Sequence, residues 1–127
     1  MILDTSAVVA ILQAEPEADR FAQLLESADR VHISVATVLE ASLVVGPPRQ
    51  RLLDDFLTIA GAVTVPVDDD QLALARTAHL RFGRGSGSSA RLNFGDCFAY
   101  ALAQVTGEEL LFKGDDFGHT DVRSADG

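Results

Sequence analysis

Three carboxylates stand alone in the most apolar stretches of this chain, and their positions raise a chemical question before any fold is considered. Asp4 is the single charged residue in the opening stretch MILDTSAVVAILQA. Glu40 is the only one in ISVATVLEASLVVGPP (Ile33–Pro48), and Asp96 the only one in LNFGDCFAYALAQVTG (Leu92–Gly107). Together these windows carry three acids and no base, where the chain-wide frequency of Lys and Arg, 10 in 127 residues, would place about four. An unpaired carboxylate in apolar surroundings costs on the order of several kcal/mol or stays protonated.

Two of the acids also read as helix caps. Asp4 sits at the end of a short apolar strand, ahead of a helix, and Asp96 is the third residue of a helix that Asn93 would cap. Glu40 lies in the second turn after Ser34, beyond the free backbone N–H groups, so capping does not account for it. Convergence on one cation accounts for all three. Hard divalent ions such as Mg²⁺ or Mn²⁺ take oxygen ligands, often one or two carboxylates with water and substrate phosphate. His32, His79 and His119 are scattered with no H-x-x-x-H spacing, and Cys97 is the one cysteine, which disfavours zinc. A fourth acid is available in LLFKGDDFGHTD as Asp115 or Asp116. A carboxylate-held Mg²⁺ suits phosphoryl chemistry: it activates water, holds a phosphate oxygen and stabilises charge on the leaving oxygen. Thr5 and Ser6 follow Asp4 and are placed either to orient it and its water by hydrogen bonds or to cap the helix.

The elements that must position these acids alternate between strand and helix. Met1–Asp4 reads as a strand, followed by a helix over Ser6–Gln13 and another led by Pro16 through Ala28. Val31–Ser34 is a second strand, and Ser34 caps a helix to Val45 that Gly46-Pro47-Pro48 stops. A helix over Arg49–Ala60 precedes a third strand, Val63–Val67. Asp68-Asp69-Asp70 opens a helix to Phe82, with acids where the dipole favours them. GRGSGSSAR (Gly83–Arg91) is a flexible loop. Asn93 caps a helix to Thr106, Leu110–Phe112 is a strand, and Asp121–Arg123 is the optional fifth. The expected class is α/β: a mainly parallel central sheet of about four to five strands with helices on both faces. Sites in such sheets form beyond the carboxyl ends of the strands, where Asp4 falls.

At 127 residues and 47% apolar, the chain is sized for one domain, 1–127, with a real core. One cysteine suits a reducing compartment. The N-terminus lacks the basic flank of a signal peptide, and no uncharged run reaches the roughly 18–20 residues that span a bilayer. A cytoplasmic protein away from membranes is expected. The formal net charge is −9, from 19 acids against 10 bases, which taken alone disfavours a general nucleic-acid binder.

MILDTSA, ISVATVLE and LNFGDCFAYALA, in this order and spacing, resemble the PIN-domain ribonucleases, and more closely the VapC toxins of bacterial type II toxin–antitoxin pairs. The resemblance covers the whole chain. It implies a PIN-like three-layer fold and a metal-dependent endoribonuclease with Mg²⁺ (or Mn²⁺) in an acidic cluster. Asp4 and Asp96 match the family's principal metal-binding acids, and Glu40 matches its acid in the helix after the second strand. The fourth position departs from the commoner pattern, in which Asp or Asn follows two residues after a strand-ending Thr. Here Phe112 and Gly114 stand there, leaving Asp116 as the best substitute and Asp115 as the second. The resemblance also implies a VapB-type antitoxin as partner, which an acidic toxin suits, and a homodimer within a larger toxin–antitoxin assembly. RNA is expected to be cut where it is single-stranded. Arg81, Arg84, Arg91 and Lys113 are the candidate phosphate contacts.

Other classes fit less well. A phosphorylation-receiver domain shares the size, the acidic Mg²⁺ pocket and a late lysine, which Lys113 imitates, but its acceptor Asp ends a strand, whereas Asp96 opens a helix. A haloacid-dehalogenase-type phosphatase needs D-x-D, and DTS offers Ser6 instead. A Ser–His–Asp hydrolase lacks its G-x-S-x-G elbow. A catalytically silent PIN-like binding protein has no reason to keep all three acids.

Overall fold

The two-residue strand β1 (Ile2–Leu3) is the centre of the architecture, and its two side chains face opposite ways, as the strand period of two requires. The computed structural model describes all 127 residues, Met1–Gly127. The elements after β1 are α1 (Thr5–Leu12), α2 (Ala18–Ser27), β2 (Val31–Ser34), α3 (Val35–Val45), α4 (Gln50–Ile59), β3 (Ala62–Val65), α5 (Asp69–Phe82), α6 (Phe94–Thr106) and β4 (Leu110–Leu111). Short 3₁₀ turns lie at Pro47–Arg49 and Phe117–His119. The sheet order is β3-β2-β1-β4, and every pairing is parallel.

The alternation divides the interior into two cores. Ile2 and Leu110 pack with Ala78, Leu92, Tyr100 and Leu102 under α5 and α6. Leu3 and Leu111 pack with Val8, Phe21, Ile33, Ala41 and Leu53 under α1 to α4. Both residues of β1 and both of β4 are wholly buried, so neither strand tolerates a polar side chain. The result is three layers, helices on each face of the sheet, as expected.

Several boundaries are tighter than the sequence suggests. The third strand runs Ala62–Val65 rather than Val63–Val67, because Pro66 has no N–H to continue the ladder. The first and last strands keep two residues each. The optional fifth strand at Asp121–Arg123 does not form: it is reduced to one parallel bridge, Leu110 with Ser124, flanked by hydrogen bonds from Leu110 N–H to Arg123 and from Ala125 N–H to Leu110. Pro16 lies in the turn ahead of α2, not at its first position. Ser34 and Asn93 cap their helices as read from the sequence, and Asp68, read only as one of three acids at the start of α5, proves to be its cap. The Gly83–Arg91 loop is tied at its base by Leu92 N–H on Phe82 (2.8 Å) and Arg84 N–H on Leu92 (3.2 Å). Gly107 closes α6 in the left-handed conformation that favours glycine (φ 69°).

Because β1 lies between β2 and β4, the chain leaves it in one direction and returns on the other side. This is the crossover point at which parallel sheets open a cleft beyond their carboxyl ends. Asp4 is the first residue past β1 and stands at that opening.

Candidate active site

Asp4 is 2% exposed. Its Oδ2 accepts from Ser6 N–H (3.0 Å) and from Ser6 Oγ–H (2.6 Å), which makes it the N-cap of α1. Its other oxygen, Oδ1, is buried with no hydrogen-bond partner. Burial pushes the Asp4 carboxyl up to about 7 against the opposing pull of the Ser6 bonds, and the charges of Asp96 and Glu40 push the same way. Capping therefore explains one oxygen of Asp4 and leaves the other without a purpose.

Glu40 projects from α3, half-buried, and its Oε1 accepts from the Thr5 hydroxyl. Thr5 thus holds Glu40, while Ser6 alone orients Asp4. Glu40 also leans on α6 at Gly95. A Cβ at that position would stand 1.9 Å from Glu40 Oε2, so only glycine leaves the carboxylate its place. Asp96 sits one residue further along α6 in a full capping box: Asn93 N–H donates to its Oδ2 and Asp96 N–H donates to Asn93 Oδ1, both at 2.9 Å. Burial raises the Asp96 carboxyl above its usual range. The Asn93 amide opposes that rise, Glu40 and Asp116 reinforce it, and Arg84 weakly offsets it.

The three acids line one cleft of about 470 Å³, together with Thr5, Ser6, Asn93, Lys113 and Gly114. Glu15 also faces this cleft, and nothing in the sequence windows pointed to it. The fourth-acid candidates stand outside the lining. Asp116 precedes the 3₁₀ turn and is close enough for its charge to act on Asp96. The Lys113 amide donates to Ser6 Oγ (2.9 Å), fastening the end of β4 to α1. Its ammonium lies 3.2 Å from Glu15 and 3.1 Å from Glu17, and these bonds raise it above the ordinary lysine range.

The proposed phosphate contacts are dispersed. Arg81 is turned to Asp121 (3.6 Å) and stacks over Phe82, away from the cleft. Arg91 takes a left-handed backbone conformation (φ 54°) and lines neither this cleft nor its neighbour. Arg84 is the member whose charge reaches Asp96.

The donor set is entirely hard oxygen, and none of the three histidines nor Cys97 enters the cleft. As they stand, no three acidic, histidine or cysteine side chains are gathered closely enough to hold a metal ion together. The orphaned Asp4 Oδ1 and the mutual repulsion of the acids fit a divalent ion of the Mg²⁺ type, which keeps much of its water and needs few carboxylates. The Lys113 ammonium is occupied by two glutamates, so the arrangement lacks the free lysine of a receiver domain.

Comparison with known proteins agrees with this geometry. The PIN domain family model matches residues 1–123. The chain is 48% identical to the VapC ribonuclease Mb0625 of Mycobacterium bovis, over 98% of this chain and 97% of that protein. It is 46% identical to ribonuclease VapC42 of Mycobacterium tuberculosis, over 98% of each. Among solved structures, Mycobacterium tuberculosis VapC20, described as a Sarcin-Ricin loop cleaving toxin, superposes with a TM-score of 0.70 at 16% identity, covering 95% of both chains. A toxin–antitoxin complex from Klebsiella pneumoniae gives 0.69 at 17%, covering 94% of this chain and 92% of that one. Ribonucleases of this family are metal-dependent. The chain belongs to the PIN-domain family and, within it, to the VapC ribonucleases.

Proposed function

We propose that this chain is the toxin of a toxin–antitoxin pair, an endoribonuclease whose Asp4, Glu40 and Asp96 hold a divalent cation, Mg²⁺ with Mn²⁺ as substitute. The observation that carries the reading is the buried, unpartnered Oδ1 of Asp4 in a cleft shared with two further carboxylates. A divalent cation held by Asp4, Glu40 and Asp96 would supply Lewis acidity at the scissile phosphate and a more acidic water for its hydrolysis.

The surrounding residues keep the acids in place. Ser6 fixes the Asp4 carboxylate, Thr5 fixes Glu40, and the Asn93 amide fixes Asp96. Gly95 leaves the space in which Glu40 approaches α6. Asp116 is assigned as the fourth acid in preference to Asp115, since its charge acts on Asp96. The partners assigned are single-stranded RNA and a VapB-type antitoxin, with the toxin as a homodimer in the cytoplasm. No helix is long and apolar enough to cross a membrane.

The test is cleavage of a mixed RNA pool by the purified, antitoxin-free chain with Mg²⁺, with Mn²⁺ and with chelator, beside Asp96→Asn. Cuts that need the metal and fall by about 100-fold or more in the variant support the reading. Cuts that persist in chelator, or that the variant makes equally well, overturn it.

A further inference from the structure

A second cleft, of about 610 Å³, lies between α5 and α6, and Asn93 lines both it and the acidic cleft. We propose that this cleft binds the nucleotide adjoining the scissile phosphate in a single-stranded RNA, with its base stacked on Phe94 and its phosphates met by Arg84 and Arg76. The inference deepens the nuclease reading and rests on it.

Charge is the first argument. In a chain of 19 acids and 10 bases, no acid lines this cleft, while Arg76, His79 and Arg84 do. Neither Arg76 nor Arg84 forms an ion pair within the chain. Both guanidiniums are therefore free to take an anion from outside, and the planar fork of arginine suits phosphate. Asn93 lines both clefts, so an anion held here lies beside the acidic one.

The second argument is the aromatic platform. Phe94 is 82% exposed at the first position of α6, an expensive placement for a phenylalanine that packs no core. Phe98 meets it edge-on, with centroids 5.0 Å apart and planes at 85°. This bracing holds the ring while leaving area on it free for a base, and stacking of this kind tolerates any sequence. The volume falls within the roughly 300–1,000 Å³ of small-ligand clefts. An acidic peptide would satisfy the arginines, but continuity with the acidic cleft through Asn93 favours a ligand that reaches both.

The experiment uses the full chain carrying Asp96→Asn, which binds without cutting, and a fluorescein-labelled mixed-sequence 12-nucleotide RNA. Phe94→Ala is expected to raise Kd about tenfold. Arg76→Ala and Arg84→Ala should each reduce the slope of log K against log salt by about 0.7. Arg51→Ala, an exposed charge on α4, controls for net charge. Cleft variants that bind like Arg51→Ala overturn the inference, even where the chain with Asp96 intact cuts RNA with metal; the nuclease reading then stands alone. If the chain with Asp96 intact does not cut RNA and the Asp96→Asn chain does not bind it, both readings are overturned. Variants that change self-association or antitoxin binding and leave RNA affinity intact assign the cleft to a protein partner and also overturn it. Removing exposed side chains leaves the core untouched, and circular dichroism checks that.

Discussion

Asp4 carries a conflict between stability and function that can be measured. Burial pushes its carboxyl up to about 7 in the folded chain, against 3.8 ordinarily. Between those values the folded chain keeps a proton that the unfolded chain has released. The folded state then binds more protons, and stability contributed at this position falls as pH rises through the window. Above about pH 7 the whole penalty is present, on the order of a few kcal/mol. Asp4→Asn in chelator at pH 8 should therefore melt higher than the parent, by roughly 5 °C, with the difference vanishing near pH 4. Mg²⁺ should raise the Tm of the parent and not of the variant. A variant that melts lower than the parent at pH 8 contradicts the burial argument. Asp96 is a different case. Its cap is an accepted hydrogen bond that an asparagine Oδ1 also accepts, so Asp96→Asn should leave Tm within a few degrees while cleavage collapses.

Helix α6 is shaped by the acid it faces. Glycine at its second position costs about 1 kcal/mol of helix propensity relative to alanine. Gly95 is kept because Glu40 occupies the space of its absent side chain. Gly95→Ala should cost little stability, since the Glu40 carboxylate is the end of a movable side chain and the helix gains propensity. It should cost much activity, about tenfold or more, because Glu40 must swing off the shared site. Thermal melting and RNA cleavage on one sample separate these. A variant as active as the parent shows that Glu40 is not needed where it stands. This residue was open to a reader of the sequence as a glycine inside a helical pattern, an unexplained cost. Its reason was not, because Glu40 lies on another helix and approaches only after folding.

The whole molecule presents an acidic cleft on one side of the sheet's end and a different groove between α1, α2 and α4. That groove, about 580 Å³, is lined by Ile11, Leu12, Leu25, Leu52, Phe56 and Ile59 among others, with Glu26 and Asp55 as its only charges. Ile59 is 87% exposed. An apolar groove with an acidic rim suits an amphipathic helix bearing basic residues. Ile59→Asp should weaken the toxin–antitoxin complex about tenfold or more in titration and leave RNA cleavage by the free toxin unchanged. Equal affinity in the variant removes this groove from the antitoxin's path.

The sequence by itself determined the layers, because the cues are local. Apolar runs of strand length, the caps Ser34 and Asn93, and the breakers Gly46, Pro47 and Pro48 each act within a few residues. Three acids kept in apolar windows also declared themselves, since a buried carboxylate is costly wherever the chain later puts it. Only the tertiary structure decided who serves whom. Thr5 was a neighbour of Asp4 in sequence, yet helical geometry aims its hydroxyl at Glu40, 35 residues on. Lys113 read as a phosphate contact and is taken by Glu15 and Glu17, Arg81 by Asp121, while Arg76, in no motif, lines a cleft free of acids. The fifth strand shrank to a single bridge. In each case the deciding quantity is a distance between side chains on different elements, set by how helices seat on the sheet, and no periodicity along the chain encodes it.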